Sequence, residues 1–237
     1  MGGLSSIRRL LVPSRSAGIE LIDSYEHSGR DFLASFRDIR KINRYLGGCA
    51  VVRKRIRPYL GARTSVLDVG TGLADIPADL VRWGTRRGRE IRVVGLDANP
   101  KILAAARRET QGVALMKASA HALPFPDGSF DVVVSSLTFH HFDEPAAAAA
   151  LREMVRVARR VVIVNDLQRG YLPAALIWLV TRVARMHFLT RHDAPLSVLR
   201  SLTPPEYERL ARGSGFLDAR VYRHPFWRVA VVVGKPE

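Results

Sequence analysis

The stretch from Thr64 to Pro77, TSVLDVGTGLADIP, constrains this chain more than any other. A short apolar run, Val66-Leu67, leads into Asp68, then Gly70 and Gly72, then a segment that can become a helix. The order is strand, tight glycine turn, helix N-terminus. Backbone without Cβ atoms can approach a ligand closely there, and the free N–H groups of the helix favour an anionic group. A Gly-x-Gly turn alone is a weak signal. Here a second strand, Ile91 to Leu96, ends in Asp97, 27 residues beyond Gly70. A carboxylate at that strand end can accept both hydroxyls of a ribose; its competing role is a helix cap.

Around this stretch the chain alternates. Strand one is Ser65 to Val69, and its helix runs from about Ala74 to Trp83. Strand two is followed by a helix started by Asn99-Pro100. Strands three, four and five are Val113 to Lys117, Phe130 to Ser135 and Val161 to Val164. A helix with five consecutive alanines, Glu144 to Arg156, lies between the last two. Such βα alternation predicts a parallel sheet with helices on both faces and a ligand at the carboxyl ends of the strands. Before the first strand, residues 18–60 carry apolar groups at helical spacing, broken at Asn43–Gly48. These helices either pack on the sheet edge or cap the ligand, with Asn43 and Arg44 facing it. After strand five the alternation stops. Tyr171 to Leu189 reads as one long apolar helix, Thr190 to Ser197 as a loop, and Thr203-Pro204-Pro205-Glu206 as a helix start. Two final apolar runs flank His224-Pro225 as an antiparallel hairpin.

Composition narrows the partners. The net charge of +15 comes from 32 Arg and 5 Lys scattered through nearly every element. It invites nucleic acid, an anionic membrane surface or an acidic carrier protein. No arginine-rich motif with interleaved aromatics appears, which argues against nucleic acid. The single cysteine, Cys49, excludes an intramolecular disulfide and reads as a small packing residue. Gly2 and Ser6 fit a loose myristoylation pattern, but no secretory apolar region follows, so the expected location is cytoplasmic. The uninterrupted apolar part of 171–189 is too short to span a bilayer. No set of residues reads as a metal site.

DVGTGLADIP, GLDANP and ALPFPDGSFDVVVSSLTFHHF resemble the class I S-adenosylmethionine-dependent methyltransferases, in particular the branch of quinone-biosynthesis and other small-molecule enzymes. The resemblance covers about Ser65 to Val164. The N-terminal half is loosely similar to methyltransferases of bacterial polyketide and phenolic-lipid pathways, which implies secondary metabolism. An α/β, Rossmann-like sheet of seven strands in the order 3-2-1-4-5-7-6 is implied, as one domain over 1–237: an N-terminal helical cap at 1–62 and a core at 63–237 with a helical insert at 170–200. The cofactor implied is S-adenosylmethionine. Asp68, Gly70 and Gly72 would line its methionine part, Asp97 would hold the ribose, Ala98 would lie against the adenine, and Ser136 would be a further cofactor contact. Ser119-Ala120 stands where the family usually has Asp-Ala, so Ser119 is a neutral and weaker partner for the adenine. Ala74 replaces a frequent third glycine.

The natural competitor, a dinucleotide oxidoreductase, wants Gly-x-Gly-x-x-Gly. Here the residue three after Gly72 is Asp75, which would repel a pyrophosphate. A sulfonium cofactor without phosphates tolerates Asp68 and Asp75. Methyl transfer requires positioning of the nucleophile and, for a weakly acidic hydroxyl, a base. His140 and His141, after strand four, are the candidates, with a cofactor-side structural role as the alternative. Asp166 and His192 are expected to face substrate. Asn165-Asp166 reads as too polar for a buried strand end. The expectation is O- or C-methylation of a phenol, quinol or polyketide by a monomer or homodimer. An RNA methyltransferase and a non-catalytic cofactor-binding partner are the alternatives.

Overall fold

The computed structural model describes residues 12–23 and 29–235. Gly2 and Ser6 lie outside the described residues. Seven strands form one sheet: β1 (Arg63–Val69), β2 (Glu90–Asp97), β3 (Ala114–Lys117), β4 (Phe130–Ser136), β5 (Ala158–Leu167), β6 (Arg220–His224) and β7 (Arg228–Gly234). Their order is β3-β2-β1-β4-β5-β7-β6, with β1 to β5 parallel and β7 antiparallel to both neighbours. This is the class I order and the seven-stranded sheet expected.

The central strands are apolar on both faces because both faces are covered. Side chains alternate between two cores. Leu67, Val133 and Val162 face one, with Leu151, Met154 and Tyr207. Val66, Val132 and Val161 face the other, with Val52, Ile56 and Leu80. The first core is closed by α5 (Glu144–Val157) and α8 (Pro204–Gly213). The second is closed by α2 (Gly48–Ile56) and α3 (Asp75–Thr85). Cys49 is buried at the start of α2, and burial pushes its thiol up to about 12, as a packing residue. A further helix, α4 (Pro100–Glu109), opens with Asn99, whose side chain accepts from Lys101 N.

Helix α1 (Gly29–Tyr45) packs on α7 (Phe188–Arg200), which pairs with α6 (Tyr171–Val183). These helices close over the carboxyl ends of the strands. The expected single helix over 171–189 is two helices, broken at residues 184–187 with Arg185 at φ 49°. The expected loop over 190–197 lies inside α7. Pro195 removes the N–H that would have met the Arg191 carbonyl, and Arg182 Nη1 donates to that carbonyl instead at 3.4 Å. No helix among the described residues is long and apolar enough to cross a membrane.

Strand β5 runs past its expected end at Val164 and buries Asn165 and Asp166. Their polarity is buried and largely paired, with Asn165 Oδ1 left without a partner. Asn165 Nδ2 donates to Ser136 Oγ at 2.5 Å, and Asp166 accepts from His140 and from Leu167 N.

Candidate active site

The glycine turn follows β1 and is pinned to β2. The N–H groups of Gly70 and Thr71 both donate to the Leu96 carbonyl at 2.9 Å. Gly70 has φ 74°, and a Cβ there would lie 2.3 Å from Thr138 Oγ1, so only glycine closes this turn against the β4 loop. Ala74, at the N-terminus of α3, sits at φ 56°. The left-handed geometry explains why a glycine is common at that place, and Ala74 carries the strain.

Three acids surround the turn. Asp68 Oδ2 accepts from Thr71 Oγ1 at 2.7 Å, while its buried Oδ1 has no partner. Burial pushes the Asp68 carboxyl up to about 7. Burial also raises Asp75, although Asn43 Nδ2 donates to it at 3.0 Å. Asp97, raised by burial too, accepts from Gly72 N at 3.1 Å and Asn99 N at 2.9 Å. Three desolvated carboxylates and an unmet acceptor call for a ligand that brings positive charge and donors, as a sulfonium, an ammonium and ribose hydroxyls do. They oppose a pyrophosphate.

These acids line one end of a cavity of about 690 Å³, large enough for a cofactor and a second molecule. Gly70, Gly72, Ala98, Ser119, Ala120 and Ser136 line it as well. Asn43 lines the cavity and is buried, but Arg44, the next residue around α1, is exposed and lies over the Tyr45 ring at 5.6 Å from its centroid. One helical step turns a side chain by about 100°; Ile42 and Asn43 lie at the edge of the inner face, and the next step carries Arg44 off it. The expectation that Arg44 faces substrate is corrected. Asp166 and His192 are corrected too. Asp166 lies beneath His140 and does not reach the lining; His192 is half-exposed on α7, its Nδ1 donating to its neighbour Asp193 at 2.8 Å.

The two histidines form the polar end. His140 is buried, and its Nδ1 donates to Asp166 Oδ1 at 2.8 Å while its N–H donates to Asp166 Oδ2 at 3.1 Å. Burial alone would raise the Asp166 carboxyl; the charge and hydrogen bonds of His140 hold it below its ordinary value. The His141 Nδ1 donates to Asp23 Oδ2 at 3.0 Å. Burial disfavours its cation, but the Asp23 hydrogen bond and the charges of Glu20 and Asp23 win and raise it. The two rings lie 4.4 Å apart.

Glu20, Asp23 and Arg228 are site residues that sequence reasoning missed. Glu20 and Asp23 arrive on a short turn, Leu21–Asp23, held by Asp193, which accepts from Leu21 N at 2.8 Å and Ile22 N at 2.9 Å. Arg228 opens β7 and is fully buried. Its Nε donates to Leu46 O at 3.2 Å and its Nη2 to Asn43 Oδ1 at 3.3 Å, but Nη1 has no partner. Burial lowers this guanidinium to about 10. The rest of the wall is apolar: Phe36 and Ile39 of α1, Leu176, Ile177 and Val180 of α6, and the hairpin turn. In that turn Phe226 and Trp227 both hold left-handed backbone, at φ 59° and 49°.

Comparison with known proteins agrees with this geometry. Residues 67–163 match the methyltransferase domain model. The demethylmenaquinone methyltransferase of Thermus thermophilus is 36% identical over 105 residues, 42% of this chain and 46% of that protein. The demethylmenaquinone methyltransferase of Beutenbergia cavernae is 34% identical over 170 residues, 70% of this chain and 65% of that protein. The chain thus spans less than two thirds of the length of these relatives. A SAM-dependent methyltransferase from Aquifex aeolicus shares the fold with a TM-score of 0.58 at 17% identity, covering 85% of this chain and 97% of that one. Residues 67–163 thus match a methyltransferase domain on a sheet of class I order, and over that domain the chain is similar to the class I S-adenosylmethionine-dependent methyltransferases.

Proposed function

We propose that this protein methylates a small lipophilic aromatic molecule, a phenol or quinol. One observation carries the reading: a single cavity joins an acid-lined glycine turn to an apolar chamber ending in two oriented histidines. When bound, S-adenosylmethionine supplies an electrophilic methyl group. Asp97 would hold its ribose, Ala98 and Ser119 its adenine, Asp68 its cationic end, and the free Nη1 of Arg228 its carboxylate. The names of the relatives, demethylmenaquinone methyltransferases, support a quinol-like ring.

The chain's own residues then do three things. Phe36, Ile39, Leu176 and Ile177 receive the apolar part of the substrate and exclude water from the reacting centre. His140, with Nδ1 committed to Asp166, presents its Nε2 to the cavity, where it can take the proton of a substrate hydroxyl. Leu172, Leu179 and Val183 are exposed on α6, on the same face as Leu176 of the cavity wall, beside Arg182 and Arg185. An apolar strip with cationic neighbours suits an anionic lipid surface, from which a lipophilic substrate would enter between α6 and α1.

The test is methyl transfer from labelled cofactor to a panel of alkylated phenols and quinols, with total RNA as the competing substrate. Label in the organic extract is expected. Label in RNA would favour the reading that the +15 charge invites, and binding of cofactor without transfer to either would favour a non-catalytic role. Sedimentation with anionic and neutral vesicles tests the α6 face.

A further inference from the structure

We infer that Glu20, His140 and His141 form a binding site for a divalent transition cation of the zinc type. One ligand atom from each residue lies within 4.8 Å of the other two. His140 Nε2 is 3.7 Å from Glu20 Oε1, and His141 Nε2 is 3.8 Å from Glu20 Oε2. Those separations are too long for hydrogen bonds. They are close to the ~3.3 Å between neighbouring ligands that bonds of about 2.0–2.1 Å set at tetrahedral zinc.

The orientation of the rings is the stronger argument. Each imidazole already donates its Nδ1–H to a carboxylate, Asp166 for His140 and Asp23 for His141. With Nδ1–H committed, the Nε2 of each ring is the atom left to hold a proton or a cation. Both Nε2 atoms converge on the carboxylate of Glu20, which is itself buried and whose Oε1 has no hydrogen-bond partner. A positive charge belongs among these three groups, and because neither Nε2 reaches Glu20 within hydrogen-bond distance, a cation that displaces the ring protons can contact all three at once. A carboxylate behind each ligating histidine is also the arrangement that fixes the ring and raises its basicity in metal sites. Two nitrogens and one oxygen, with the fourth direction open to the cavity, match a three-ligand site with an exchangeable position.

One nearby cation works against metal binding. Arg200 Nε stands 3.7 Å from Glu20 Oε1. Its guanidinium is engaged with the carbonyls of Gly18, His140 and His141, and Asp23 Oδ2 lies 3.9 Å from its Nη1. In use the inference deepens the proposed methyl transfer and changes one role in it: with the cation bound, His140 Nε2 is a ligand and no longer the base, and the cation would instead acidify a substrate hydroxyl that completes the coordination. Cation binding itself does not depend on that transfer.

The experiment uses the full chain, free of any histidine tag and stripped with a chelator. It is titrated with Zn²⁺ by calorimetry and with Co²⁺ by visible absorption, without cofactor or substrate. One equivalent is expected at micromolar affinity or tighter, with the d–d bands of low-coordinate cobalt. Glu20→Gln should weaken binding at least 100-fold and Asp166→Asn about 10- to 100-fold. His192→Ala, outside the cavity, should bind as the parent does. The partly exposed His141 offers His141→Ala as a check should Glu20→Gln fail to fold. Absence of a stoichiometric site, or variants at Glu20 and His141 that bind like the parent, would overturn the inference. Methyl transfer that persists in chelator with no cation uptake removes the metal and leaves the function standing; cation uptake without transfer to any acceptor does the reverse.

Discussion

The two ends of the cavity are built in opposite ways. At the cofactor end Asp68, Gly70, Gly72 and Asp97 sit on adjacent strand ends within 30 residues of one another, held by backbone hydrogen bonds to Leu96 and Asn99. At the other end, where we propose the substrate sits, Glu20, Phe36, His140, Leu176 and Trp227 come from five separate elements spread over most of the chain. The first end is a local property of a βαβ unit. The second exists only after α1, α6, α7 and the hairpin have packed together. Methyl-donor recognition can therefore stay fixed while the acceptor side changes.

The largest expected effect breaks the cofactor end alone. Asp97→Ala should weaken S-adenosylmethionine binding 100-fold or more, about 3 kcal/mol, by removing charge-assisted hydrogen bonds. Calorimetry reads it, and an unchanged dissociation constant would place the ribose elsewhere. Next, His140→Ala should lower turnover about 100-fold while leaving cofactor affinity within threefold; equal losses in both would dissolve the division between the ends.

The Asp68 carboxyl sharpens the comparison by pH. In the unliganded fold it keeps its proton until about pH 7, whereas the unfolded chain releases it near ~3.9. Its stabilising share is therefore present below about pH 4 and lost as pH rises through about 7. The unliganded melting temperature should fall from pH 5 to pH 8, and cofactor affinity should rise over pH 6 to 8 as the carboxylate forms. Asp68→Asn should flatten both trends. Leu176→Ser, which trims the apolar wall by a few methyl groups, should raise KM for a lipophilic acceptor about five- to tenfold and leave the cofactor constant alone. Smallest of all, Ala74→Gly should relieve left-handed strain and raise the melting temperature by about 1–2 °C.

The same contrast decides what could be read before folding. The strand–turn–acid pattern from Thr64 to Asp97 is contiguous, so the acid-lined turn at one end of the cavity was legible in it, while the sheet order came only with the family resemblance. Asp166 was misplaced because polarity at a strand end looks like exposure. Only the fold shows that His140 comes down onto it from the β4 loop. His192 was misplaced because Arg191-His192-Asp193-Ala194-Pro195 reads as a loop, yet Arg182 supplies the hydrogen bond that lets the helix continue. Glu20 sits in no motif; a lone acid becomes a site residue only because Asp193, 173 positions away, holds its turn. The one local hint was the HHF sequence, whose two histidines had to find partners somewhere.

The hairpin turn at Phe226 and Trp227 has a consequence for anyone reshaping this protein. Two aromatic residues hold left-handed backbone there, a geometry that Asn-Gly adopts with far less strain. Laboratory selection for heat resistance alone should rewrite this turn early. The same exchange would strip two rings from the chamber, so the hardier descendants should lose acceptor discrimination first while still binding the methyl donor.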